Sequence, residues 1–180
     1  KAHFAILEGF LSELLSMTIK ISTILESESN KNHAEDKSNK VDLLCVTESG
    51  EKILIELQVE REWDYLQRML YGASKLVTEY IEESDAYGKI GKVIAVNIVF
   101  FDLGVGEDYI YHGTTTFKGF RIGDNLQLSA IEKESLATFR KLPTDRVDNL
   151  EPKDVYPEYY VIKVKKFKDK VISKFDEWVY

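Results

Sequence analysis

An α/β fold built on a mixed sheet is predicted by three features of this sequence. Two β-rich runs, 41–47 and 52–59, are separated only by Glu48-Ser49-Gly50-Glu51, which signals a hairpin. A long helical pattern follows over 62–83, where Trp63, Leu66, Leu70, Ala73, Val77 and Tyr80 keep one apolar face. An apolar run, 93–101, then reads as a buried strand. Hairpin, helix and strand in that order imply a sheet with mixed pairing, flanked by helices.

The remaining elements follow in order. Phe4, Leu7, Leu11, Leu14 and Leu15 repeat at helical spacing, so the first sixteen residues read as an amphipathic helix. Residues 26–40 are polar and read as an exposed loop. Gly88 and Gly91 break the chain ahead of the apolar run, and 109–114 and 126–131 are further strand candidates. The tail reads as helix, because Val164, Phe167, Val171, Phe175 and Trp178 mark one stripe. With no repeat and no low-complexity linker, the 180 residues are expected to form one domain spanning 1–180.

Composition narrows the function classes. A hydrophobic fraction of 44% and a charged fraction of 31% exclude disordered and fibrous chains. The only cysteine, Cys45, rules out a disulfide within the chain and fits a reducing, cytoplasmic compartment. The run 93–101 falls short of the roughly 20 apolar residues a membrane span needs, so no membrane partner is expected. No leader pattern precedes Lys1, and with no initial methionine and a helical pattern still running at Tyr180, further chain is expected beyond both ends. The net charge of −7 argues against a broad nucleic-acid surface. A nuclease accommodates it only by clustering its lysines or by concentrating acids at a metal site.

The chemistry is carried by residues 42–58. Glu56 and Gln58, two apart on one strand, face the same way, with Leu54. Whether Asp42 joins them is a question of register. If Thr47 pairs with Glu51 across a three-residue loop, with Gly50 in the left-handed position, Asp42 lies opposite Glu56, with Cβ atoms about 4.5–5.5 Å apart. A two-residue loop sends Asp42 to the other face. Two carboxylates that close, with backbone carbonyls and water, form a hard oxygen site suited to Mg²⁺ or Mn²⁺. The plainer alternative is a pair of solvent-facing acids, and spacing alone does not decide between them.

Four segments resemble the PD-(D/E)XK nucleases, in particular the recombination-promoting nuclease or transposase group: the loop EDKSNKVDLL, the strand ILIELQ, the helix RMLYGASKL and the tail YPEYYVIKVKKFKDKVISKFDEWVY. They span nearly the whole chain in the family's order. The resemblance implies a restriction-endonuclease-like core, Mg²⁺-dependent DNA cleavage linked to recombination or mobile elements, and DNA as partner, with a homodimer left open. It places Asp42 on the family's metal aspartate and Glu56 on its second acid. Gln58 stands where the wider superfamily has lysine, which leaves open whether the chain cuts DNA or is an inactive binding module for DNA or protein.

Other residues carry two readings each. Asp64, Arg68, Tyr71 and Lys75 form a polar stripe on the second helix. Arg68 and Tyr71 match the family's helix motif, and Arg68 is expected either to hold the scissile phosphate or to brace the metal acids. Glu8 and Glu13 sit on the first helix, from which many relatives donate a third acid; Glu13 is the candidate metal ligand, against a solvent-facing role. Lys163, Lys166, Lys170 and Lys174, with Lys165 and Lys168 beside them, read as a helical stripe for the DNA backbone or as a solvated face. His3, His33 and His112 lack ligand spacing, and Cys45 reads as a buried strand residue.

Overall fold

The computed structural model describes residues 4–25, 43–79, 81, 84–167, 171 and 173–179. Asp42, His3, His33, Tyr80, Lys168, Lys170 and the expected loop at 26–40 lie outside the described residues. Helix α1 (Ala5–Leu15) leads into strand β1 (Ile21–Leu25), followed by β2 (Leu43–Thr47), β3 (Lys52–Gln58), helix α2 (Tyr65–Glu79) and β4 (Val93–Val99). Then come β5 (Ile110–Gly113), α3 (Ala130–Arg140), α4 (Thr144–Val147), β6 (Glu158–Lys163) and α5 (Asp176–Val179). The six strands make one mixed sheet in the order β1-β2-β3-β4-β6-β5. Strands β3, β4 and β6 run parallel at its centre, with antiparallel pairs at both edges. No described helix is long and apolar enough to cross a membrane.

The hairpin adopts the three-residue loop. Leu43 pairs with Ile55, Leu44 with Leu54, Cys45 with Ile53 and Val46 with Lys52. The Thr47 N–H donates to the Glu51 carbonyl at 2.9 Å, and Gly50 takes a φ of +84°. A side chain in that left-handed position costs about 1–2 kcal/mol, while a Cβ there would meet nothing within 4 Å. Gly50→Ala is therefore expected to lower unfolding stability by about 1 kcal/mol through backbone strain alone, read as a shift of the urea midpoint.

Side chains alternate across the sheet. On one face Ile53, Ile55, Ile94 and Val96 pack with Leu11 and Leu14 of α1 and with Phe175. On the other, Leu54, Val93 and Ala95 meet Ala73 and Leu76 of α2, and Val99 and Val161 meet Tyr65 and Met69. Cys45 is fully buried, and burial pushes its thiol up to about 11, as expected of a strand residue that does no chemistry.

Three expectations are corrected, and one strand was missed. The apolar stripe of α2 is rotated: Tyr65, Met69, Ala73 and Leu76 face the sheet, while Trp63, Leu66 and Leu70 are exposed. The strand expected at 126–131 gives way to α3, which begins with a capping box. There the Ser129 hydroxyl accepts from the Glu132 N–H, and the Glu132 carboxylate accepts from the Ser129 N–H at 2.7 Å. Strand β1 was not legible as one. The tail is not a continuous helix: strand Glu158–Lys163, between β4 and β5, is followed by a single 3₁₀ turn, Val164–Lys166, and Phe167 and Val171 are not helical.

That last correction dissolves the lysine stripe. Lys163 is buried at the end of β6, its Nζ 4.8 Å from the Tyr111 ring centre and 3.4 Å from the Gly106 carbonyl. Lys165, Lys166 and Lys174 are exposed, and Lys166 lies 3.9 Å from Asp102. A stripe needs one helix to align it, and among the described lysines Lys163 ends a strand while Lys165 and Lys166 lie in a 3₁₀ turn.

Candidate functional site

Three parallel strands end on one edge of the sheet, and Glu56 and Gln58 lie near the carboxyl end of β3, where clefts form in sheets of this kind. Glu56 is on the α2 face, 3% exposed, beside Asn97 of β4 in the ladder. A carboxylate so deep requires a partner. Arg68, one helical turn into α2, supplies it. Its Nε donates to Glu56 Oε1 at 2.6 Å and its Nη2 pairs with the same oxygen. Its Nη1 reaches Glu62 Oε1 at 2.8 Å. The guanidinium thus bridges two carboxylates, one from the strand and one from the β3–α2 loop.

Gln58 joins the same network. Its Nε2 donates to Glu62 Oε1 at 3.1 Å and to the Glu60 carbonyl at 3.1 Å. Burial works to lower the Arg68 pKa, but the charges of Glu56 and then Glu62 outweigh it, and the net direction is up. Arg68 is a fixed cation that holds Glu56 and Glu62 apart and in place. Beneath it, the Asn97 amide nitrogen donates to the carbonyls of Ala95 and Tyr160, each at 3.3 Å, and its oxygen lies 3.4 Å from the Tyr65 hydroxyl. A buried amide tied to β6 and α2 stiffens the floor of the site.

Of the predicted residues, Glu56, Gln58 and Arg68 come together. Glu13 is exposed on α1, whose buried side packs against the opposite face of the sheet, and it stands outside this network. Glu8 instead holds β1, accepting from the Ile21 N–H at 2.9 Å and the Lys20 ammonium at 3.2 Å. Asp64 and Tyr71 are exposed. Asp42 lies outside the described residues. Sequence reasoning missed Glu62, which no spacing rule links to Glu56. It also missed the role of Asn97, whose signal was visible as the one polar break in an apolar strand.

Among the described residues, no three His, Cys, Asp or Glu side chains group to hold a metal ion. Glu56 and Glu62 do offer hard carboxylate oxygens, of which one on each is engaged by Arg68. A third acid would make the group one for Mg²⁺ or Mn²⁺ rather than Zn²⁺, which prefers nitrogen and sulfur.

The sequence model of one family, described as PD-(D/E)XK nuclease family transposase, matches residues 3–149. No curated protein and no solved structure matched the chain.

Proposed function

The chain belongs to the PD-(D/E)XK nuclease family transposases, and on that premise we propose that it is a Mg²⁺- or Mn²⁺-dependent endodeoxyribonuclease acting in recombination or in the movement of mobile elements. One nuclease-like domain over 1–180, in the cytoplasm, is the setting of this reading. The observation that carries it is the buried carboxylate of Glu56 at the carboxyl end of a central strand, braced by Arg68.

In this reading Asp42 and Glu56 hold the metal. The register of β2 and β3 supports this reading, because each described pair obeys the three-residue loop on which the expected Asp42–Glu56 pairing rests. The metal, when bound, lowers the pKa of a water and offsets the negative charge that develops on the phosphate. Arg68 keeps the Glu56 carboxylate in one orientation. Gln58, a neutral amide that both donates and accepts, orients the attacking water. Asn97 and Tyr65 keep the floor rigid, so that the carboxylate does not drift when the cation changes.

The experiment is nicking of supercoiled plasmid during a Mg²⁺ titration. Wild type should cut in proportion to bound metal. Gln58→Ala should slow cutting by about tenfold, since an orienting hydrogen bond is lost while the ion's charge partners remain. Gln58→Lys, which restores the residue usual in the superfamily, should cut at least as fast as wild type if position 58 faces the scissile phosphate. A second reading, an inactive binding module, is favoured by the net charge of −7 and by Gln58 itself. Absence of metal-dependent cleavage on every form of DNA would establish it in place of the first.

A further inference from the structure

A second concave site lies at the other end of the same strands. The amino ends of β3, β4 and β6 meet the end of α3 and the start of α4 around a pocket of about 350 Å³. That volume lies within the size range of small-ligand pockets. Its apolar wall includes Phe139, Leu142 and Met17. The wall is closely built: a Cβ on Gly88 would come within 2.4 Å of the Phe139 ring.

The charges lining this pocket are unevenly satisfied. Glu51 accepts hydrogen bonds from the Thr47 and Ser49 hydroxyls at 2.6 and 2.5 Å. Asp154 accepts from the Glu151 N–H at 2.8 Å, and Glu158 takes the Lys92 ammonium at 3.0 Å and the Tyr160 hydroxyl at 2.9 Å. Lys92 is itself saturated, with the carbonyls of Lys153 and Tyr156 at 2.8 and 3.0 Å as further acceptors. Only Glu48, exposed at the rim, adds another acid.

Three cations at the end of α3 and on α4 are different. Arg140 spends Nη1 and Nη2 on the carbonyls of Asp154 and Ile90, at 2.6 and 3.5 Å, and its buried Nε has no acceptor. Its nitrogens have no carboxylate within ion-pairing distance among the described residues; burial lowers its pKa, and the charges of Asp154 and then Glu51 offset this only in part. Lys141, exposed beside it, likewise makes no ion pair among the described residues. Arg146 is ion-paired with Glu51 at 3.6 Å, too long for a hydrogen bond, so its N–H donors are not committed to that carboxylate. Three of the four acids lining the pocket are engaged, and Arg140, Lys141 and Arg146 keep N–H donors that an anion could use.

We propose that this pocket binds a phosphate group, held by Arg140, Lys141 and Arg146, on a ligand of mononucleotide size whose base lies against Phe139 and Leu142. Phosphate fits better than a carboxylate, because its double charge and several acceptor oxygens match three cations and the forked donors of arginine. The site is at the amino end of the parallel strands, away from Glu56, and its occupancy requires neither metal nor cleavage. It therefore stands or falls independently of the nuclease reading.

Calorimetric titration of the full chain tests it with three probes, inorganic phosphate, adenosine 5′-monophosphate and a 5′-phosphorylated trinucleotide, each against chloride at equal ionic strength. Saturable one-site binding is expected, with the mononucleotide tighter than inorganic phosphate. A trinucleotide tighter than both would identify the natural source of the phosphate as a nucleic-acid end. The double variant Lys141→Gln, Arg146→Gln, at an exposed and a half-buried position, should keep the wild-type fold by far-ultraviolet circular dichroism and bind at least about tenfold more weakly. Unchanged affinity in that variant, or no saturable binding of any probe to wild type, overturns the proposal. Equal affinity for phosphate and mononucleotide removes the apolar half of it.

Discussion

Glu56→Gln is expected to reduce Mg²⁺-dependent nicking by on the order of 10²–10³-fold, because the change removes the charge that draws the cation. Metal stabilisation of the developing charge contributes several kcal/mol, and each 1.4 kcal/mol is about one decade of rate. Glutamine is isosteric and still offers Oε1 to the Arg68 Nε–H, so the local shape should persist. Stability should fall only modestly, by about 1 kcal/mol, since Arg68 retains Glu62 at 2.8 Å. Rate and melting temperature measured on one preparation separate these effects. Asp42→Asn should lose activity to the same degree. A variant Glu56→Gln that nicks plasmid at the wild-type rate would remove Glu56 from the metal site.

Arg68→Met is expected to have the largest effect on stability. It leaves the Glu56 carboxylate, whose side chain is 4% exposed, without its guanidinium partner. Breaking a buried ion pair from one side costs about 3–5 kcal/mol; Arg68 is itself 26% exposed, so about 2–3 kcal/mol is the expected loss. Arg68→Met combined with Glu56→Gln should recover part of it, because the buried charge is then gone as well. Chemical denaturation of the two single variants and the double variant closes the cycle. If Arg68→Met is as stable as wild type, the bracing role assigned to Arg68 is wrong.

Much of this site could be read in the sequence because strand geometry is local. Period-2 alternation fixed which residues share a face with Glu56, and one glycine, Gly50, selected between two registers. Arg68 was within reach because helix spacing set it on a polar stripe. What escaped was long-range. Strand β6 has its partners β4 and β5 far away in sequence, and nothing local to its YYVIK run marks where it pairs. The phase of α2 depends on which side meets the sheet, and two apolar stripes compete there, one led by Trp63 and one by Tyr65. The capping signal at Ser129 and Glu132 was present, but strand propensity at Leu126 to Leu128 obscured it. Glu62 was hidden because a loop carries it to Arg68.

Direct metal binding tests, without relying on a substrate, the proposal that Asp42 and Glu56 together hold one divalent cation. Calorimetric titration of the metal-free protein with Mn²⁺ should give one site in wild type. Asp42→Ala should weaken that site by at least about tenfold while preserving the fold, as judged by far-ultraviolet circular dichroism. Equal Mn²⁺ affinity in wild type and Asp42→Ala, or no site in wild type, would contradict it.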